Sequence, residues 1–187
     1  MMQLWASAPG RPEVIVPSNE GRAMIAHVIA ILRIATGTIG LFFGYYELFG
    51  KNLDAALDTI TITAVGIVGL LSFAGHLIFH KSDARRLGWE SDKPYYQYEV
   101  GFAHLAFAMI AFFAYFGNWG LAAKVLTVLG YTIYLLQIGI LYTWRCFSEH
   151  RIFSRYFLRH AISTLVYVGL MLYFIASVMG AIQLVLF

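Results

Sequence analysis

Charge is scarce in this chain. Only 12% of its 187 residues are Asp, Glu, Lys or Arg, about half the quarter usual in water-soluble domains, so an ordinary soluble surface is excluded. Cysteine is nearly absent. Cys146 stands alone, which rules out an internal disulfide, and no C-x-x-C pair offers zinc or dithiol chemistry. Familiar active-site patterns are missing too: there is no G-x-S-x-G elbow, no Walker or dinucleotide glycine loop, and Cys146 beside Arg145 has no base nearby in sequence. Three of the four prolines, Pro9, Pro12 and Pro17, fall in a polar opening stretch. That stretch lacks the basic start, apolar centre and small-residue cleavage site of a secretory signal.

What fills the chain instead is hydrocarbon. Hydrophobic residues make up 60% and the mean hydropathy is +0.70. Five apolar runs are long enough to cross a bilayer, which takes about 20 residues: 23–49, 55–80, 97–117, 121–144 and 157–187. They predict an all-α, five-span transmembrane helical bundle over residues 23–187, preceded by an N-terminal arm over 1–22. No room remains for a separate soluble domain. Trp119 and Gly120 leave so short a turn that the third and fourth runs form an antiparallel hairpin. The sizeable polar connections lie near 81–96 and 145–156.

Basic residues orient the bundle. The arm and the two long loops hold ten of them: Arg11, Arg22, Lys81, Arg85, Arg86, Lys93, Arg145, Arg151, Arg155 and Arg159. The opposite side holds two, Lys51 and Lys124. Short basic loops stay in the cytoplasm, so the N-terminus is expected there and Phe187 outside. A net charge of +3 and a pI near 9.0 follow from this topology and from attraction to anionic lipid. A nucleic-acid site would need a folded basic surface with stacking aromatics, which these loops are too short to build. Trp89, Tyr95, Tyr96, Tyr98 and Trp119 read as interfacial anchors.

Polar groups inside such runs are expensive and face protein. Arg33 lies about 15 Å into a core about 30 Å thick, near the midplane. It shares a helical face with Gly37, Gly40, Gly44 and Glu47, and Gly40 and Gly44 form a G-x-x-x-G pair that lets a neighbouring backbone approach. Arg33 reads as an internal tie to Glu99 or to helix-end carbonyls, or as an anchor for an anionic or quinone-like headgroup. Glu99 and Glu47 enter from opposite sides of the membrane. They cannot be one acid/base pair, which needs carboxyls within about 10 Å. Glu99 is an Arg33 partner, a proton-path member with His76, or an exposed carboxylate near a helix N-terminus.

His76 and His80, spaced i, i+4, share a face with Gly69 and Ser72, a spacing that can clamp a metal. His27, His104, His150 and His160 form no second cluster, so no metal site is assigned. His76 and His104 could instead hold a haem from facing helices, or be interfacial histidines without a cofactor. Thr127, Gly130, Tyr134 and Gln137 make a mildly polar face on the fourth run, as do Ser163, Tyr167, Ser177 and Gly180 on the fifth. Such faces serve packing through interhelical hydrogen bonds or line a pocket for a quinone, lipid or small solute.

The stretch from Gly75 to Ala106 reads GHLIFHKSDARRLGW and then KPYYQYEVGFAHLA. It resembles a bacterial family of small multi-pass membrane proteins of unknown function, whose pattern runs G-H, a loop ending G-W, then P-x-Q-x-E-x-G-F-A-N-L-A. Gly75, His76, Gly88, Trp89, Pro94, Gln97, Glu99, Gly101, Phe102, Ala103, Leu105 and Ala106 carry the likeness. One residue is inserted between Pro94 and Gln97, and His104 stands where the pattern has Asn. The first run, ILRIATGTIGLFFGYYELFG, also resembles the first helix of DoxX-type proteins through Arg33, Gly37 and Gly44, with Glu47 in place of a basic residue. That likeness implies a small bundle in redox or quinone-linked membrane systems.

Neither resemblance supplies a catalytic residue. The expectation is a bacterial inner-membrane protein without a catalytic centre, an accessory or stabilising subunit of a larger respiratory or redox membrane complex. Its partners would be the lipid bilayer and other membrane subunits or a second copy. One alternative is a binding protein for a quinone, lipid or haem through Arg33, His76, Glu99 and His104. Another is a minor transporter or proton path between Glu99 and Glu47, although repeated, broken helices are not evident.

Overall fold

The computed structural model describes residues 19–87, 94–149 and 157–186. The expectations for the arm before residue 19, for Gly88, Trp89 and Lys93, for His150, Arg151 and Arg155, and for Phe187 fall outside them. The described residues are helical and contain no strand. In chain order we number α1 (Asn19–Phe49), α2 (Leu53–Ile78), α3 (His80–Leu87), α4 (Tyr95–Phe116), α5 (Leu121–Ser148) and α6 (Ser163–Leu186), the last preceded by a π-helical turn, Phe157–Ile162. Five stretches are long and apolar enough to cross a membrane: Met24–Phe49, Leu53–Ile78, Tyr95–Phe116, Leu121–Ser148 and His160–Gln183. The protein is a multi-pass membrane protein with the five-span helical bundle that its apolar runs predict.

Two tight turns make one end of the bundle. Between α1 and α2, Lys51 adopts φ 64° and the Asn52 side chain accepts a hydrogen bond from the Ala55 amide at 3.2 Å, capping α2. Between α4 and α5, Gly120 takes φ 85°, a conformation that a residue without Cβ adopts at little cost. This is the expected antiparallel hairpin. We call this the hairpin end. The opposite end, carrying the α2–α3 connection, is the loop end.

α2 is the central helix: 56% of its most apolar window is buried, against 22% for α1. Small residues let the others close on it, as expected where lipid gives no hydrophobic drive and packing must supply the attraction. Gly40 and Gly44 of α1 abut Thr63 and Ile60 of α2 so tightly that a Cβ at either glycine would collide. Gly69 of α2 lies against α4, where a Cβ would come within 2.9 Å of the His104 carbonyl oxygen. Leu57, Ile60, Val65, Val128, Met171, Phe174 and Val178 are fully buried between α2, α5 and α6.

α2 is not a uniform α-helix. Residues Ile60–Ile67 and Ala74–Ile78 are π-helical, and the helix ends at Phe79, with φ −107° and ψ 25°. Short π segments widen a helix locally and recur at functional sites. This corrects one expectation. His76 lies in the second π segment and His80 opens α3 beyond the break, so the i, i+4 spacing no longer places both on one face.

Candidate functional site

The π turn at Ala74–Ile78 directs His76 inward, and α3 folds back to bury Asp83 beside it. His76 is 8% and Asp83 5% exposed, and His76 Nδ1 lies 2.9 Å from Asp83 Oδ2. On its other side, the His76 ring stacks on His104 of α4, with centroids 5.6 Å apart and planes 13° from parallel. Gly101, one turn before His104, makes room: a Cβ there would sit 3.4 Å from the His76 Cβ.

His104 carries the chain of contacts deeper. Its Nδ1 lies 3.3 Å from the Tyr131 hydroxyl of α5, and Tyr134 meets its ring edge to face at 5.1 Å. Ser72 of α2 neighbours the Tyr131 hydroxyl and accepts a long hydrogen bond, 3.5 Å, from Arg33 Nη1 of α1. The guanidinium is within electrostatic reach of both His104 and Tyr131. One further hydroxyl belongs to this neighbourhood. Tyr167 of α6 packs over Gly37, where a Cβ would come within 3.0 Å of its oxygen, and that oxygen is buried without a hydrogen-bond partner among the described residues.

The cluster is one-sided. Toward the hairpin end, Leu57, Ile60, Ala64 and Val128 are fully buried. Thr127 and Thr132 donate their hydroxyls to their own helix, at 2.8 Å from Ala123 O and 2.7 Å from Val128 O. Beyond this apolar plug, Lys124 of α5 pairs with Asp58 of α2. That pair is closed on itself. The carboxylate, imidazole and phenol of the loop-end cluster can move a proton over a short distance. The cluster does not cross the bundle.

Of the sequence candidates, Arg33, His76 and His104 come together, and Gly37, Gly40 and Gly44 all turn inward. Glu99 is exposed and does not pair with Arg33; Gln97 is the buried polar residue there instead. His80 stands apart, with Nδ1 3.1 Å from Leu77 O and its ring edge-on to Tyr98. Glu47 is half-buried toward the hairpin end, and Gln137 is exposed on α5. Among the described residues, no group of three or more His, Cys, Asp or Glu is placed to hold a metal. A haem between His76 and His104 does not fit either. Axial ligation turns a ring nitrogen of each histidine toward iron, whereas these two rings stack face to face with centroids 5.6 Å apart.

Sequence reasoning missed Asp83, Tyr131 and the Lys124–Asp58 pair. Tyr131 had a signal, since it lies on the same helical face as Thr127 and Tyr134. Asp83 had none, because its place depends on the break at Phe79.

Residues 23–178 match the model of a family of unknown function, DUF6790, and the chain belongs to that family. No curated protein and no solved structure matches it.

Proposed function

We propose that this family member is a membrane-embedded binding protein for a small amphiphile. The polar head lies among Arg33, His104 and Tyr131, and the apolar part lies in the bilayer. The single observation that carries this reading is the one-sided cluster. A proton or solute path would need polar groups through the apolar plug, and a purely structural tie would be closed, as Lys124–Asp58 is. Asp83 and His76 serve as the backing of the site, Asp83 lying against His76 Nδ1 and the His76 ring stacking on that of His104. By the distribution of Lys and Arg, the loop end faces the cytoplasm of a bacterial inner membrane.

The test is native mass spectrometry of protein taken from its own membranes in mild detergent. A bound small amphiphile is expected at one per chain, retained in Glu99→Gln and lost in His104→Leu. Bare protein in every mild detergent and in lipid nanodiscs rejects the reading.

A second reading, an accessory subunit of a larger membrane assembly, is favoured by one observation. Gln137 is exposed midway along α5, between the exposed Ile133 and Ile140. An amide facing hydrocarbon gains from a partner on another helix. A groove of about 320 Å³ lined by Ile140, Thr143, Trp144, Phe147 and Leu165 lies alongside. Co-purification with another membrane protein at fixed stoichiometry, lost on Gln137→Leu, supports this second role. Unchanged co-purification in Gln137→Leu removes its basis.

A further inference from the structure

We propose that the head group taken here is an oxyanion, a carboxylate or phosphate, received by Arg33 and Tyr167. The proposal rests on the binding reading above and adds the chemical class of the ligand.

Two side chains at the site have donors without an acceptor among the described residues. A guanidinium has five N–H groups and no acceptor, yet among the described residues the contact Arg33 makes is the 3.5 Å one to Ser72. No carboxylate lies within ion-pair distance of it among the described residues. Two carboxylates of the loop end are placed otherwise: Asp83 faces His76 and Glu99 is exposed. The second donor is the Tyr167 hydroxyl. It is buried and unpartnered, and a buried hydroxyl without a hydrogen bond is costly.

Their placement is shared. Gly37 follows Arg33 by one helical turn on the same face, and Tyr167 packs over Gly37. Tyr131 is within electrostatic reach of both Arg33 and Tyr167, which accords with that placement. A neutral carbonyl would satisfy Tyr167 but leave the cation uncompensated. An oxyanion satisfies both, and charge-assisted bonds of this type are roughly twice as strong as neutral ones. Entry is from the lipid side. Arg33 is half-buried on a helix whose next residue, Ile34, is 65% exposed, so an anionic head can approach through the bilayer with its chain along α1.

The experiment uses the purified chain in a neutral detergent, with binding read by unfolding temperature and by native mass spectrometry. The probes are palmitate, methyl palmitate, phosphatidylglycerol and inorganic phosphate. Saturable stabilisation by palmitate or phosphatidylglycerol, but not by the ester, is expected and assigns the source to a lipid. Stabilisation by inorganic phosphate alone supports the same oxyanion chemistry with a free ion as its source. Equal binding of palmitate and its methyl ester overturns the oxyanion class while leaving amphiphile binding intact. No binding of any probe overturns both. Arg33→Gln is expected to weaken palmitate binding about tenfold or more, the loss of one charge-assisted partner. Tyr167→Phe removes one oxygen without disturbing the fold and is expected to weaken it about fivefold. Unchanged affinity in Tyr167→Phe overturns the assignment of that hydroxyl even where Arg33→Gln fails to fold.

Discussion

At the hairpin end, one cation and one anion are paired across α2 and α5, with Lys124 3% exposed and the Asp58 side chain 34% exposed. At the loop end, polar side chains from six helices meet, and among the described residues the cation there has a hydroxyl and no carboxylate as its partner. The same bilayer penalty applies at both ends. An ion pair answers the charge penalty within the chain, although Thr61 Oγ1 on this side is also buried without a hydrogen-bond partner among the described residues. The loop-end cluster leaves a guanidinium and a phenol with unused donors, a poor arrangement for stability alone and a good one for taking a ligand.

Breaking the closed pair is the largest expected effect. Lys124→Met leaves Asp58 beside an apolar side chain, and removing one partner of a buried pair costs about 3 kcal/mol, less here because Asp58 is a third exposed. The unfolding temperature in detergent should fall clearly. The double variant Lys124→Met with Asp58→Leu should recover most of the loss, since apolar residues can replace a pair that does nothing else. A double variant as unstable as the single one would mean that the pair has duties beyond packing, and the contrast between the two ends would fail.

The parts of this contrast that were legible in sequence are those written in long patterns. Apolar runs gave the spans, Trp119 and Gly120 gave the hairpin, and the i, i+3, i+7 spacing of Gly37, Gly40 and Gly44 gave the inward face of α1. Arg33, His76 and His104 stood out because a bilayer makes such residues conspicuous. Rotation of a helix about its own axis was less legible. α4 is apolar nearly all round, so hydropathy does not say that Glu99 faces out; that follows once Gly101 and His104 pack on α2, since Glu99 lies about 140° from His104. Asp83 was hidden for a different reason. The polar stretch after His80 reads as a loop, and only the π turn and the break at Phe79 carry α3 back over His76. Asp58 and Lys124 are far apart in sequence, and their pairing is a tertiary fact.

An intermediate effect is expected inside the cluster. Tyr131→Phe removes the hydroxyl next to His104 Nδ1 while keeping the buried ring. Interhelical hydrogen bonds in membranes are worth about 0.6 kcal/mol on average, with a maximum near 1.7, so a loss of about 1 kcal/mol is expected. Nitrogen NMR of histidine-labelled protein should register the change at His104 far more than at His80, which lies outside the cluster. Equal shifts at both histidines would mean that the hydroxyl does not hold that ring.

Of the interior substitutions, Arg33→Leu gives the smallest expected change in stability and the sharpest comparison with Lys124→Met. Both substitutions delete a cation within an apolar span. If stability tracked buried charge alone, the two would behave alike. Arg33 leaves behind only a serine hydroxyl that accepted one long hydrogen bond, and no orphaned carboxylate, so the ligand-free protein should lose less than about 1 kcal/mol. Glu99→Gln, an exposed change, should fall within about 0.5 kcal/mol of the parent and serves as the baseline. The separation between Arg33→Leu and the parent should widen when palmitate is added, because a ligand stabilises only the form that binds it. A fall as large as that of Lys124→Met in the absence of ligand would place an internal anion beside Arg33 and make the loop end a structural tie of the hairpin-end kind.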